Sequence, residues 1–246
     1  MGKIFRWSAT VSSLLAIFAR SGSSMLKYDF HLHSCYSRDG TLRPADVMKI
    51  AQKRGLNGIA ITDHGTIKGS VEALKNKPEG LDVICGAEIK SDRGDVIGLF
   101  LSEEITAVDH IEVIDQIHGQ GGVAIIPHPF DSMRGSAFWL KDADAKLIDA
   151  VEVINARCVF NRSNAMANTY ADTYHLSKVG GSDAHFGAEI ANAGTLVPEG
   201  EDVREAILKK HTMAFGRCSM PLFHVFTTAL LVERRVARRK PPFTND

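Results

Sequence analysis

The chain has 246 residues, of which 44% are apolar and 24% charged, and its 29 Lys plus Arg equal its 29 Asp plus Glu. The length suits one large α/β domain or two small ones, and the composition is that of an ordinary globular protein. The charge balance excludes a global pull toward nucleic acid or anionic membrane, so any such role must rest on a local patch.

Residues 1–24 place Lys3 and Arg6 ahead of a mildly apolar stretch at 7–19. The outline loosely resembles a signal peptide. Ser8, Thr10, Ser12 and Ser13 dilute the stretch, however, and no small-x-small cleavage site follows. Residues 1–24 are therefore read as a dispensable extension or a start codon assigned too early, with a targeting segment as the alternative.

Beyond Met25 the chain alternates strand-like and helix-like segments. Short apolar runs that suit buried parallel strands fall at 28–31, 58–62, 83–87, 96–101, 123–126, 150–154 and 178–180. Helical segments are predicted at 44–54, which opens on Pro44 and stops at Gly55, and at 107–118, with Asp109 and Glu112 early and Gly119 as the stop. Two more are predicted at 161–175 and 201–211. This alternation predicts a parallel sheet with crossover helices in a single domain, a barrel first and an open doubly wound sheet second.

The chemistry-bearing residues sit at the ends of these runs, where parallel α/β folds bind ligands. Asp29-Phe30-His31-Leu32-His33 ends the first. Residues two apart on a strand point the same way, so both imidazoles can hold one metal. Thr62-Asp63-His64 ends the second run, Gly86-Ala87-Glu88 the third, Pro127-His128-Pro129 a later one, and Ser182-Asp183-Ala184-His185 the last. Each alone has a plain structural explanation, such as a helix cap or a packed histidine. Five such signals at five apolar strand ends do not fit packing, because buried charge is costly unless paired or bound to metal. Cys35, Cys85, Cys158 and Cys218 are scattered without a CxxC pair, which argues against a disulfide scaffold or a cysteine zinc site and suits a reducing, cytoplasmic setting.

The ordered set HxH, DG, TDH, GxE, HP and SDAH resembles the PHP (polymerase and histidinol phosphatase) family of metal-dependent phosphoesterases, over about residues 27–216. The resemblance implies an α/β fold of the distorted (β/α)7 barrel type, in a single domain at 25–217. It also implies two or three divalent ions, Mn, Zn or Fe. His31, His33, Glu88 and Asp183 match the first metal's ligands; Glu88 would bridge to a second that His128 also binds; Asp39, His64 and His185 match the third. Asp95 stands where many relatives carry a histidine for the second metal. A carboxylate there would favour Mn or Fe over Zn, or weaken that site.

The expected reaction is hydrolysis of a phosphomonoester or phosphodiester by a metal-activated hydroxide. Asp63 is expected to orient a ligand or assist proton transfer, or else to cap a helix. Arg134 and Arg157 are candidate phosphate contacts. The expected substrate is a small phosphorylated metabolite such as histidinol phosphate, a nucleotide or a short RNA. The alternatives are an amidohydrolase-like activity and a non-catalytic module that binds a partner. His110, His118, His175, His211 and His224 lie outside the motifs and are read as surface or packing residues. Residues 218–246 carry an apolar run and a basic tail, read as a helix on the domain, with a membrane-surface or RNA contact as the alternative. The run is too short to span a bilayer, which needs about 20 apolar residues. The oligomeric state is not legible.

Overall fold

A computed structural model describes residues 24–219 and 222–239; most of the N-terminal extension and the end of the basic tail lie outside them. One sheet of nine strands runs in the order β7-β6-β5-β4-β3-β2-β1-β8-β9. All seven predicted strands are present: β1 (Met25–Leu32), β2 (Gly58–Ile61), β3 (Asp82–Lys90), β4 (Asp95–Leu99), β5 (Val123–Ile126), β6 (Ala150–Asn155) and β7 (Ser177–Gly181). β8 (Ala193–Pro198) and β9 (Met213–Gly216) were not predicted. The sheet nearly closes on itself. Asp183 N donates to the His31 carbonyl at 2.8 Å, and Thr195 Oγ1 of β8 bonds both the N–H and the carbonyl of Gly180 in β7. One apolar cluster takes side chains from eight strands: Tyr28, Phe30, Ala60, Ile84, Ile97, Ile125, Ala150, Val179 and Val197. A flat sheet could not bring eight strands to one cluster, so the wrapping is a consequence of burying it.

The sheet is not wholly parallel. β1, β2 and β3 run parallel, as do β5, β6 and β7, but β4 is antiparallel to both of its neighbours, as β8 is to β1 and β9. The reason lies in the link from β3 to β4: Ser91 N bonds the Gly94 carbonyl at 2.9 Å, closing a turn far too short for a crossover helix.

The helices follow their caps. α1 (Pro44–Lys53) opens on Pro44 and buries Val47, Met48 and Ala51. α2 (Lys68–Lys75) was not predicted. α3 (His110–Gly119) starts three residues later than expected because Asp109 accepts hydrogen bonds from the N–H groups of Ile111 and Glu112. α4 (Asn161–Thr173) and α5 (Val203–Leu208) are shorter than predicted; Asp202 caps α5 through the Glu205 N–H. α6 (Leu222–Arg239) is the predicted C-terminal helix. No helix among the described residues is long and apolar enough to cross a membrane. The four cysteines are free.

Candidate metal centre

The folding of β1 against the last predicted strand end builds the floor of the site. His33 N bonds the Ala184 carbonyl at 2.9 Å, and Leu32 and Ala184 form a parallel bridge beyond the end of β7. A second bridge joins His64 to Glu88. The approach at the seam requires Gly181: a Cβ there would lie 2.4 Å from His31 Cβ and 2.5 Å from Glu152 Oε1. His128 and Asp183 both hold positive φ, 32° and 54°, a conformation that costs about 1–3 kcal/mol for residues with a side chain.

All nine predicted metal-ligating residues meet there. Glu88 Oε2 lies 3.4 Å from His31 Nε2, 3.3 Å from His33 Nε2 and 3.1 Å from His64 Nδ1, while its Oε1 lies 2.9 Å from His128 Nε2. Asp183 Oδ1 lies 3.6 Å from His31 Nε2 and 3.3 Å from His33 Nε2. Asp39 Oδ2 stands between His185 Nε2, at 3.2 Å, and His64 Nε2, at 3.5 Å. Asp95 is outermost, 4.0 Å from His128 Nε2. Within this cluster three groups have ligand atoms close enough to share a cation: His31, His33 and Asp183; His31, Glu88 and His128; and His33, His64 and His185; a fourth group, Asp92, Asp109 and His110, lies apart on the surface.

The electrostatics favour cations. His31 Nε2, His33 Nε2, Glu88 Oε2 and Asp183 Oδ1 are buried and make no hydrogen bond. Such atoms are costly unless something binds them. Burial holds the His33 imidazole down to about 3, with His185 and His64 adding to the effect, so its lone pair stays available. Burial opposes ionisation of Glu88 and Asp183. Nearby His64 and His31 nonetheless hold Glu88 well below the usual carboxylate range, and Arg134 and His31 do the same for Asp183. Burial and the charge of Glu88 push Asp95 up to about 6. The four carboxylates Asp39, Glu88, Asp95 and Asp183 face one guanidinium in direct contact, that of Arg134 on Asp183 at 2.6 Å. Divalent cations therefore fit both the lone pairs and the charge.

A surrounding shell orients these ligands, and sequence reasoning missed most of it. Glu152 Oε1 lies 3.0 Å from His31 Nδ1, and its Oε2 accepts from His128 N at 2.7 Å and from Asn155 Nδ2 at 2.9 Å. A proton on His31 Nδ1 shared with Glu152 leaves Nε2 free as a ligand. Asn155 Nδ2 also donates to Asp183 Oδ2 at 3.2 Å. The available signal was a lone carboxylate in the apolar run Val151-Glu152-Val153. Ser37 Oγ lies 3.2 Å from His33 Nδ1 and donates to Asp63 Oδ1 at 2.7 Å.

Asp63 thus lies behind the ligands rather than among them. It accepts from Ser34 N and Ser34 Oγ as well as Ser37, and so joins the two loops after β1 and β2. Arg134 stands at the edge, 20% exposed, held by Asp131 and Asp183, with Nη1 making no hydrogen bond to a described residue. Arg157 is placed differently from a phosphate contact. It is 4% exposed, with Nε 3.3 Å from Glu189 Oε1, Nη1 2.6 Å from His185 Nδ1 and Nη2 donating to α6. Outside the site, His110, His118 and His211 each pair with a carboxylate.

The model of the PHP domain matches residues 29–209. The chain belongs to the PHP domain family. An uncharacterized protein of Methanocaldococcus jannaschii is 39% identical over 144 residues, which cover 53% of this chain and 82% of that protein. A 5′-3′ exoribonuclease of Haemophilus influenzae is 42% identical over 67 residues, 27% of this chain and 24% of that enzyme. Among solved structures, a two-domain protein of Bacteroides vulgatus containing a predicted PHP-like metal-dependent phosphoesterase superposes with a TM-score of 0.66. At 23% identity, over 80% of this chain and 66% of that one, the likeness concerns the fold. Three of this PHP protein's His, Glu and Asp groups bring their ligand atoms close enough to hold divalent ions.

Proposed function

We propose that this PHP protein is a phosphoesterase that hydrolyses a nucleotide- or RNA-derived phosphoester, with histidinol phosphate as the other candidate substrate. The observation that carries the reading is the convergence of His31 Nε2, His33 Nε2, Glu88 Oε2 and Asp183 Oδ1, all buried and without a hydrogen bond, beside Arg134. These residues, with His128, Asp95, His64, His185 and Asp39, would hold divalent cations, whose charge would lower the pKa of a bound water and offset that of phosphate oxygens. Arg134 binds a phosphate oxygen through its remaining N–H groups, which suits guanidinium geometry. Asp63 and Glu152 fix the imidazole orientations through Ser37 and directly. Arg157 positions His185 and does not touch substrate. The match to an exoribonuclease favours a nucleotide-derived substrate over histidinol phosphate.

An amidohydrolase-like activity fits less well, since among the described residues the lysines that pair with carboxylates, Lys178 and Lys209, do so away from the cluster. A non-catalytic module would have no use for nine convergent ligands.

The test is a hydrolysis screen on p-nitrophenyl phosphate, nucleoside bisphosphates and short oligonucleotides, with Mn, Zn or Fe added back to chelated protein. Phosphate or nucleotide release that depends on the metal and is lost in His33→Ala is the expected outcome. A chain that binds no metal and releases neither product would sink the reading.

A further inference from the structure

Helix α6 touches two of the three segments that carry Asp39, His64 and His185, the residues matched to the third metal: those of Asp39 and His185. Near its start, Thr227 Oγ1 and the Phe223 carbonyl accept hydrogen bonds from Arg157 Nη2, at 2.7 and 3.1 Å. Arg157 in turn brackets His185. Its Nη1 lies 2.6 Å from His185 Nδ1, and its Nε faces Glu189, whose Oε2 accepts from the His185 N–H at 3.1 Å. Phe186, next in the chain, stacks on Phe223 with ring centroids 6.2 Å apart and meets Phe226 edge-on. Eleven residues beyond Phe223, the Arg234 guanidinium donates to the carbonyls of Ser37, Arg38 and Gly40, the last at 3.1 Å. Those carbonyls surround Asp39.

Phe223, Thr227 and Arg234 share one helical face, at i, i+4 and i+11, while Val225 and Val232 on the other side are 61% and 56% exposed. The inward face is therefore spent on these contacts. The other two groups are supported differently. His31 and Glu88 lie in β1 and β3, and His128 is held by Glu152. Asp39 sits in a loop outside any strand, and His185 follows the end of β7.

We propose that α6 is a strap that fixes the third group selectively: Arg234 sets the Asp39 loop, and Thr227, through Arg157, sets His185. Arg234, Thr227 and Arg157 are positioning residues in this arrangement. The strap matters to function because a ligand that loses its orienting partner loses about 10–100-fold in metal affinity. This inference rests on the metal-centre reading, but part of its test does not.

The experiment uses the full chain with Arg234→Ala, Thr227→Val and the conservative Arg234→Lys. Two quantities are read. Hydrogen exchange is followed by mass spectrometry over residues 37–41 and 185–187, and Mn²⁺ binding is followed by calorimetry with metal counted per chain. In Arg234→Ala, exchange should quicken at 37–41, and in Thr227→Val at 185–187. In both, the weakest class of Mn²⁺ site should lose about tenfold or more in affinity while the tighter classes hold. Arg234→Lys should recover part of both effects. Unchanged exchange overturns the strap. Faster exchange with all Mn²⁺ classes unchanged, or all weakened equally, overturns its selective link to the third group. A wild-type chain that binds no Mn²⁺, yet shows faster exchange in the variants, sinks the metal reading and leaves the strap supported.

Discussion

At the residue scale, Glu88 is the hinge of the site, since its carboxylate meets four imidazoles, those of His31, His33, His64 and His128. Glu88→Gln removes the charge and keeps the shape. It should lower bound metal per chain and reduce phosphoester hydrolysis about a thousandfold, equivalent to ~4 kcal/mol of barrier, with an unchanged circular dichroism spectrum. Asp63 acts at one remove. Asp63→Asn leaves an amide nitrogen that cannot accept from Ser34 or Ser37, so stability should fall by about 1–3 kcal/mol in urea denaturation. Metal affinity should weaken about 10–100-fold as His33 loses its fixed Ser37 partner. An Asp63→Asn enzyme with wild-type metal affinity would remove Asp63 from the positioning role. Most of the clustered side chains were legible because His31, His33, His64, Glu88, His128, Asp183 and His185 stand at the ends of apolar runs, where a charged or imidazole side chain has no packing use; Asp39 in its loop and Asp95 at the start of β4 carry no such signal. Glu152 and Ser37 were not legible, because their partners, His31 and His33, are distant in sequence or hidden by a loop's course.

At the scale of elements, the seam between β1 and β7 decides whether the ligands meet. Gly181→Ala would press a methyl group into His31 and Glu152, both backed by packed strands. Overpacking of this kind costs about 1–3 kcal/mol, so the melting temperature should drop and metal content should fall with it. A variant that keeps full metal content and stability would show that the seam has slack. The elements themselves were uneven in legibility. β1 to β7 announce themselves as short apolar runs, and α1 and α3 by Pro44 and Asp109. β8 was missed because its Thr-Leu-Val core is only half apolar on a side, and its pairing with β1 joins segments far apart in the chain. The antiparallel β4 was readable in principle. Ser91-Asp92-Arg93-Gly94 is a turn sequence between two apolar runs, and its brevity rules out a crossover.

At the scale of the molecule, the clustered side chains come from the ends of β1, β2, β3, β5 and β7, so a cation held among them would tie those ends together and should stabilise the whole barrel. Divalent metal at a hundred times its dissociation constant should add about 2.7 kcal/mol, and chelation should remove it, measured as a shift in melting temperature. The shift should shrink as the pH is lowered from 7.5 to 5.5, because Asp95, pushed up to about 6 by burial and the charge of Glu88, takes up a proton in that range that a bound cation must displace. A melting temperature indifferent to metal and chelator at pH 7.5 would contradict the coupling.

The order and chemical type of the ligands, the alternation of strand and helix, and the PHP resemblance all follow from the sequence alone. These are local properties: a residue type, a spacing, an apolar period. Only the tertiary structure decided which atoms face one another, that Arg134 borders the ligands while Arg157 is buried beneath a helix, and that Asp63 and Glu152 stand behind them. Those outcomes depend on closing the sheet between β1 and β7 and on the docking of α6. The first joins residues about 150 positions apart and the second residues from about 40 to nearly 200 apart, and no local pattern encodes their register.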